Sequence, residues 1–312
     1  MQFPFKLRDD AETDVAGFGT NAVDFLIQVP HYPEYNSKVE LTQYTQAAGG
    51  EIATTMVGLR RLGLSASYIG RFGTDPAGDL GIASLRDEGV DLRFAERIGG
   101  ADTQIAFIVI DERTGERTVI WKRDEKLRYT EAEVPFAAIE SAKALHITPH
   151  DTRACIRLAR AAREQGTIVS MDVDNVVDDI EELLGLVDLI VASADFPSRL
   201  LGISDKRAAL TELHERYGAS VVGVTLGESG SLLLCDGEFI QTPGFEVPGG
   251  CKDTTGAGDS FRVGLLYGMI TGESLEESAR MANAVAALKC RSVGARTALP
   301  SRDELDWLLK KL

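Results

Sequence analysis

Residues 253–261, with the sequence DTTGAGDSF, combine acidic and small side chains in a pattern suited to phosphoryl chemistry. The small residues 256–258 stand just before the apolar stretch 261–270, which predicts a helix. Small residues let backbone N–H groups approach a ligand, and the unpaired donors and dipole of a helix N-terminus favour an anion. Asp259 falls in the first turn, where it is stabilised as a carboxylate and can accept a proton from an attacking hydroxyl.

The same motif also describes an ordinary helix start in which glycine and aspartate act only as caps. Taken alone, the motif leaves both interpretations open. The chain has no G-x-x-x-x-G-K-[ST] stretch, which excludes a P-loop kinase by motif.

Two further glycine clusters precede predicted helices. The pair Gly49-Gly50 opens a helix over 51–62 and either lets the backbone approach sugar hydroxyls or makes a tight strand-to-helix turn. The stretch 70–78, GRFGTDPAG, is interpreted as a loop with a helix cap. Residues 17–22, GFGTNA, imitate the dinucleotide fingerprint but lead into a strand-like run, so a Rossmann dehydrogenase is rejected.

Strand and helix patterns alternate along most of the chain. Short apolar runs predict strands at 66–69, 143–147, 167–171, 187–191, 220–224, 231–235 and 238–241. Helical patterns lie at 51–62, 152–165, 178–185, 204–217, 257–271, 274–290 and 301–311. Apolar strands between helices imply a mostly parallel central sheet covered on both faces, a three-layer α/β/α fold.

Two segments break this alternation and predict a small β-sheet lid. Residues 22–47 contain two strand-like runs around HYPEYNS, and residues 103–121 read as a hairpin. Without a linker or repeat, we expect one domain over 1–312 with the lid inserted from about 32–47 and 101–123. The exposed strand edges of the lid favour a symmetric homodimer through it.

Charge and cysteine content narrow the class of protein. The net charge of −15, from 33 basic and 48 acidic residues, disfavours binding to nucleic acid or an anionic membrane. No run of 18 apolar residues and no N-terminal signal pattern are present. The scattered Cys155, Cys235, Cys251 and Cys290 predict no disulfide or zinc site and fit a reducing cytoplasm.

In this order and spacing, the motifs resemble the ribokinase-like (PfkB) family of carbohydrate kinases over about residues 14–300. Residues 253–261 match the family signature D-T-x-G-A-G-D-x-F, and 49–63 and 70–78 match its N-terminal glycine motifs. The resemblance implies a ribokinase-like fold and an ATP-dependent kinase that phosphorylates a hydroxymethyl oxygen of a small sugar.

The resemblance also implies roles at the reacting centre. Asp259 would be the catalytic base, and the backbone of Gly256, Ala257 and Gly258 the anion hole. The residues implied to bind the sugar are Asp24, Gly49, Gly50, Thr54 and Arg117. A solvated hairpin arginine is an equal interpretation of Arg117.

The nucleotide and ion sites follow from the same resemblance. ATP would contact Thr225, Gly227, Gly230, Gly258 and Asn283, with Mg²⁺ bridging its phosphates. Asp253 and Thr255 would help to hold a monovalent cation such as K⁺.

Two positions depart from the family pattern. Thr54 stands where the family usually has an asparagine that binds sugar hydroxyls. Residues 192–196, ASADF, replace the family's N-x-x-E, so a network of Mg²⁺-bound water would rely on Asp195 or Asp172. Serine in this region and the Leu-Lys-Cys sequence ending at Cys290 resemble the ketohexokinase and sulfofructose kinase branch.

Three functions therefore remain open from the sequence. A ketose or related sugar kinase comes first, and a ribokinase or nucleoside kinase is second. The third is a sugar- or nucleotide-binding protein of this fold without catalysis, which the changed N-x-x-E position favours and the intact Asp259 opposes.

Overall fold

A computed structural model describes residues 1–311 and contains thirteen strands in that range. The strands are Thr13–Phe18 (β1), Ala22–Val29 (β2), Gln43–Gly49 (β3), Ala66–Gly73 (β4), Ala95–Ile98 (β5), Ile105–Asp111 (β6), Arg117–Lys122 (β7), Ala142–Ile147 (β8), Ile168–Val173 (β9), Leu189–Ala192 (β10), Val221–Thr225 (β11), Ser231–Cys235 (β12) and Glu238–Thr242 (β13).

Ten α-helices accompany the strands in the same range. They are Glu51–Arg61 (α1), Pro76–Asp87 (α2), Ala137–Glu140 (α3), Thr152–Glu164 (α4), Ile180–Leu184 (α5), Phe196–Leu201 (α6), Lys206–Tyr217 (α7), Ala257–Thr271 (α8), Leu275–Lys289 (α9) and Arg302–Leu309 (α10). No helix among the described residues is long and apolar enough to cross a membrane.

Nine strands form the main sheet in the order β13-β12-β11-β10-β9-β8-β1-β4-β5. All neighbouring pairs are parallel except those made by β12, which runs antiparallel to β11 and β13. One apolar core packs α1, α2, α8, α9 and α10 on one face, and a second packs α3 to α7 on the other. The predicted three-layer α/β/α fold is thus confirmed.

The remaining strands form a separate four-stranded sheet in the order β3-β2-β6-β7. Its inner face carries a small apolar core of Leu26, Ala106, Ile108 and Ile110. The predicted insertions at 32–47 and 101–123 contain three of these strands, but β2 lies before residue 32 and also belongs to the sheet. The turn between β6 and β7 reaches the loop before α8, where the Thr254 backbone N–H donates to the Gly115 carbonyl at 3.2 Å.

The predicted elements of the main sheet and its flanking helices all occur, and five unpredicted elements accompany them. The strands β1 and β5 and the helices α2, α3 and α6 were not assigned from the sequence. Asp75 caps the N-terminus of α2, because its side chain accepts a hydrogen bond from the Gly78 N–H. Pro76 occupies the first helical position. The interpretation of 70–78 as a loop with a helix cap is therefore correct at its second half, while its first half continues β4.

The topology fixes where a ligand can bind. The chain leaves β1 toward β4 on one side of the sheet and returns through β8 on the other, so the strand order reverses between β1 and β8. Parallel sheets bind ligands at the carboxyl ends of strands beside such a reversal. The loops after β1, β9, β10 and β11 open at this edge, and the N-terminus of α8 lies there too.

Candidate active site

The start of α8 presents backbone donors at this edge. Gly256 precedes the helix with φ of 78°, a left-handed conformation that favours glycine. The Ala257 N–H is used internally, since it donates to the Thr254 carbonyl at 3.1 Å. The backbone N–H groups of Gly258 and Asp259 have no acceptor among the described residues. An anion would therefore find its free donors here, and Ala257 contributes shape more than a hydrogen bond.

The Asp259 carboxyl lies in a crowded acidic environment. Burial, followed by the negative charges of Asp172 and Glu51, holds its pKa well above the ordinary aspartate value. The expected stabilisation of the anion by the first helical turn is therefore outweighed by burial and by these neighbouring charges. The positive charges of Arg262 and Arg117 act in the opposite direction and lower the pKa of Asp259. A carboxyl tuned in this way is a stronger proton acceptor than an exposed aspartate, as a general base requires.

An ion pair ties α8 to the ends of the central strands. The Arg262 guanidinium lies 2.6 Å from the Asp172 carboxylate at the end of β9, and both side chains are largely buried. Arg262 also donates to the Val191 carbonyl in β10 at 2.8 Å. Burial raises the pKa of Asp172 more than Arg262 lowers it. The pair fixes Asp259, one helical turn before Arg262, relative to both strands.

Glu51, the first residue of α1, forms an acidic group together with Asp259 and Asp172. Burial and the charges of Asp172 and Asp174 raise the pKa of Glu51 to about 8. Its Oε2 atom is buried without a hydrogen bond and lies 3.4 Å from His150 Nδ1. Burial lowers the pKa of His150, so the imidazole is neutral and does not offset the carboxylate.

The double glycine is explained by Asp24 and by the chain it faces. A Cβ atom on Gly49 would overlap the Asp24 carboxylate, and a Cβ on Gly50 would overlap the backbone of Asn21. Gly50 also has φ of 91°. The geometry is therefore that of a tight strand-to-helix turn, and this turn packs Gly49 against the Asp24 carboxylate.

Arg296 supports this turn and was not identified from the sequence. It is buried and donates to the Thr54 hydroxyl at 3.3 Å, to the Ser84 hydroxyl at 3.0 Å and to the Gly49 carbonyl. Burial raises the pKa of Asp24 to about 6, and the charge of Arg296 partly counters this. The single hydroxyl of Thr54 therefore already accepts a hydrogen bond from Arg296.

Arg117 reaches the reacting end from the small sheet. Its side chain is exposed, yet it donates to the Thr254 hydroxyl at 3.0 Å, in the loop before α8. Its charge lowers the pKa of Asp259. Arg117 thus contacts the loop before α8, whereas an arginine that is only solvated on a hairpin would not need this contact.

The predicted nucleotide residues gather after β11. Thr225 ends this strand, Gly227 begins a short 3-10 turn with φ of 59°, and Gly230 closes it with φ of 92°. A Cβ on Gly230 would overlap the Thr242 carbonyl. Asn283 in α9 donates to the Ser231 hydroxyl at 3.0 Å, which fixes the helix against this turn.

The predicted cation site already contains a charged nitrogen. Asp253 is fully buried and accepts from the Thr255 N–H and the Gly294 N–H, each at 2.8 Å. The Lys289 ammonium, also fully buried, donates to the Asp253 carbonyl at 2.8 Å and lies 3.7 Å from its carboxylate. The Thr255 hydroxyl is buried without a partner, but one hydroxyl beside an ammonium does not fit a monovalent metal ion.

The two predicted Mg²⁺-water residues separate. Asp172 joins the group around Asp259, whereas Asp195 is exposed at the start of α6 and makes no side-chain hydrogen bond to a described residue. Within residues 1–311, no three acidic, histidine or cysteine side chains converge as a metal cage. The carboxylates here suit an ion that keeps its waters and its other ligands from phosphates.

Four residues of the site were missed from the sequence: Glu51, Arg262, Lys289 and Arg296. Two of them carry a recognisable signal, because Arg262 and Lys289 are charged residues within the apolar patterns of α8 and α9. A charge on a buried helix face needs a partner, although the sequence does not say which.

Comparison with known proteins places this geometry in one family. The sequence profile of the pfkB family carbohydrate kinases matches residues 13–302. A nucleoside kinase of Methanothermobacter thermautotrophicus is 27% identical, covering 94% of each chain, and an aminoimidazole riboside kinase of Salmonella typhimurium is 32% identical, covering 85% of this chain and 89% of its own. The structure of Arabidopsis thaliana ribokinase with ribose and ATP superimposes with a TM-score of 0.82 at 25% identity, covering 96% of this chain and 99% of its own.

Asp24 makes a testable contribution to stability. Its pKa of about 6 lies above the ordinary value of 3.8, so the native state holds a proton that the unfolded chain releases. Its contribution to the free energy of unfolding should therefore fall as pH rises through this window. Urea unfolding of Asp24→Asn against the unmodified protein should show that this fall is lost. The exposed Asp178→Asn should keep it, and parallel pH curves for Asp24→Asn would contradict the assignment.

Proposed function

Because the chain belongs to the pfkB family of carbohydrate kinases, we propose that it transfers the γ-phosphoryl group of ATP to a hydroxymethyl oxygen of a small sugar. The observation that carries this is Asp259 in the first turn of α8, beside free backbone N–H groups and with a raised pKa. A base and an anion site at one helix start are what a hydroxyl nucleophile and a phosphoryl group need.

The residues divide the work of the transfer. Asp259 accepts the proton of the attacking hydroxyl as the oxygen bonds to phosphorus. The N–H groups of Gly258 and Asp259 bind the phosphoryl oxygens, whose charge is spread over them in a loose transition state. Asp24, backed by Arg296, binds sugar hydroxyls and orients the acceptor. Arg117 adds positive charge from the small sheet, which acts as a lid and excludes water.

ATP would lie on the α9 side, over the turn from Thr225 to Gly230 and beside Asn283. Mg²⁺, when bound with ATP, supplies positive charge to the phosphates. Glu51 and Asp172 would hold its waters, and the Glu51 Oε2 atom, which is buried without a hydrogen bond, fits such a water-mediated contact. Glu51 would thereby supply a carboxyl group that the changed 192–196 segment does not bring to the site, since Asp195 is exposed at the start of α6.

A ketohexose-like sugar remains the favoured acceptor, from the branch that the sequence resembles. A ribokinase or nucleoside kinase is the alternative, and proteins named nucleoside kinase and aminoimidazole riboside kinase are among the relatives. The non-catalytic alternative is weakened by the tuned environment of Asp259, which a pure binding protein does not require. The cytoplasmic location stays a prediction from the cysteine pattern.

The role of Asp259 is tested by Asp259→Asn, which preserves shape and removes the proton acceptor. We expect ADP release from Mg·ATP with a panel of ketohexoses, aldoses, sugar acids and nucleosides to be stimulated by one class. The variant should lose about 10²–10⁴-fold of that rate, the usual contribution of general base catalysis. The exposed Asp178→Asn should be unchanged. Binding of ATP or a sugar without turnover in the unmodified protein would favour the non-catalytic alternative.

The pH profile should report the neighbours of Asp259. A base must be ionised to act, so kcat/KM falls as pH drops through its pKa, and the raised pKa places this limb above the ordinary aspartate range. Because Arg117 lowers that pKa, Arg117→Met should move the limb to higher pH. Lys122→Met, at the far end of β7, should leave the limb in place. An unmoved limb in Arg117→Met would show that its charge does not act on the base.

We also propose a homodimer in which the small sheets of two copies face each other. The outer face of this sheet carries a row of aromatic rings, with Phe25 stacked on Phe107 at 4.9 Å and on Tyr44 at 6.3 Å. Phe107 is 42% exposed and its neighbour Ile120 is 60% exposed, which is apolar area that a second copy would cover. Phe107→Glu should yield monomers by light scattering, while Trp307→Glu on α10 should not. A single-chain mass for the unmodified protein would contradict the dimer.

A further inference from the structure

Lys289 is a buried cation of the site region that faces neither an expected substrate nor the reacting group. It ends α9 and its side chain is fully buried. Among residues 1–311, its ammonium makes polar contacts only with the carbonyl and the carboxylate of Asp253. A buried ammonium is costly unless a negative partner and hydrogen bonds offset its lost hydration. The burial of this ammonium therefore indicates that it has a specific electrostatic task.

That task concerns the loop before α8. Asp253 holds the Thr255 N–H with one carboxylate oxygen and the Gly294 N–H with the other. The same residue thus joins the loop that precedes the anion site to the loop that follows α9. Lys289 supplies a positive charge beside this buried carboxylate, which offsets the cost of burying it away from water. It holds the loop whose next residues, Gly256 to Asp259, present the donors and the base.

We propose that the Lys289 ammonium is a built-in cation that takes the place of a monovalent metal ion beside Asp253, so that phosphoryl transfer by this chain does not depend on K⁺. The proposal rests on the kinase function proposed above. A metal ion placed at the Asp253 carbonyl would meet a buried positive charge already within 2.8 Å of that oxygen, which Coulomb repulsion in a dry site disfavours strongly. Burial also lowers the pKa of Lys289, and the Asp253 carboxylate counters that effect, as expected of a pair that depends on its partner.

The first readout is turnover in salts of different cations. At constant ionic strength, the unmodified protein should release ADP at the same rate, within about twofold, in tetramethylammonium chloride and in KCl, since no cation site is left to fill. Lys289→Met should lose at least about 100-fold in tetramethylammonium, because it leaves a buried carboxylate unpaired, and should regain activity in KCl. The exposed neighbour Lys252→Met should behave like the unmodified protein.

The second readout needs no substrate and therefore separates this proposal from the kinase function. KCl, but not tetramethylammonium, should raise the thermal unfolding midpoint of Lys289→Met, because K⁺ then binds the native state. The unmodified protein and Lys252→Met should show no such difference. If no sugar or nucleoside stimulates turnover but this selective shift appears, the proposed activity fails and the built-in cation stands.

A double variant covers the case in which Lys289→Met does not fold. Asp253→Asn with Lys289→Met removes both charges, so it should fold and show no K⁺-selective shift. A K⁺-selective shift in this double variant would overturn the proposal, as would turnover of the unmodified protein that rises severalfold with K⁺. Full activity of Lys289→Met in tetramethylammonium would overturn it as well.

Discussion

Carboxylates held out of water at one edge of the sheet form the constraint on which this site depends. Three of them, Asp172, Asp253 and Asp24, come from separate parts of the chain. Arg262 on α8 pairs with Asp172, Lys289 on α9 lies beside Asp253, and the charge of Arg296, in the segment after α9, lowers the pKa of Asp24. A buried charge that loses its partner is strongly destabilising, so the removal of any of these cations should be costly. They lock the start of α8, the carboxyl ends of β9 and β10, and the double-glycine turn into one arrangement.

In the proposed transfer, the acidic group would also influence which form of the nucleotide binds to this protein of net charge −15. Burial and neighbouring negative charges already raise the pKa values of Glu51, Asp172 and Asp259, and a bare triphosphate would add further negative charge beside them. Accompanied by a divalent cation, it would present positive charge to those carboxyl groups and its phosphates to the helix N-terminus. The acidic group would thereby favour the metal-bound nucleotide, while the free N–H groups of α8 would bind the phosphoryl oxygens as charge develops during transfer.

Sequence reasoning recovered the parts of this site that depend on local chain geometry. The start of α8, the double glycine and the parallel strands all follow from short-range patterns, and the structure contains them. The buried cations were missed because their partners are distant in sequence: Lys289 and Asp253 are 36 positions apart, and Arg296 and Thr54 are 242 positions apart. Glu51 was missed for a related reason, since its raised pKa depends on its burial and on the distant Asp172 in β9 and Asp174 just after that strand. Asp195 shows the converse, because its position within the changed segment 192–196 did not bring its side chain to the site.

The register of β2 connects the position of Asp24 to the outer face of the small sheet. Successive residues of a strand point to opposite faces, so Asp24 faces inward beside Gly49 while Phe25 joins the outer aromatic row. A slip by one residue would exchange these faces and remove both the acid and the apolar row. The Arg296 bond to the Gly49 carbonyl resists that slip, because β3 ends at Gly49 and pairs with β2 along its length. Any contact that orders the outer face of this sheet is therefore expected to order Asp24 as well, and in the proposed function it would help to position the acceptor sugar.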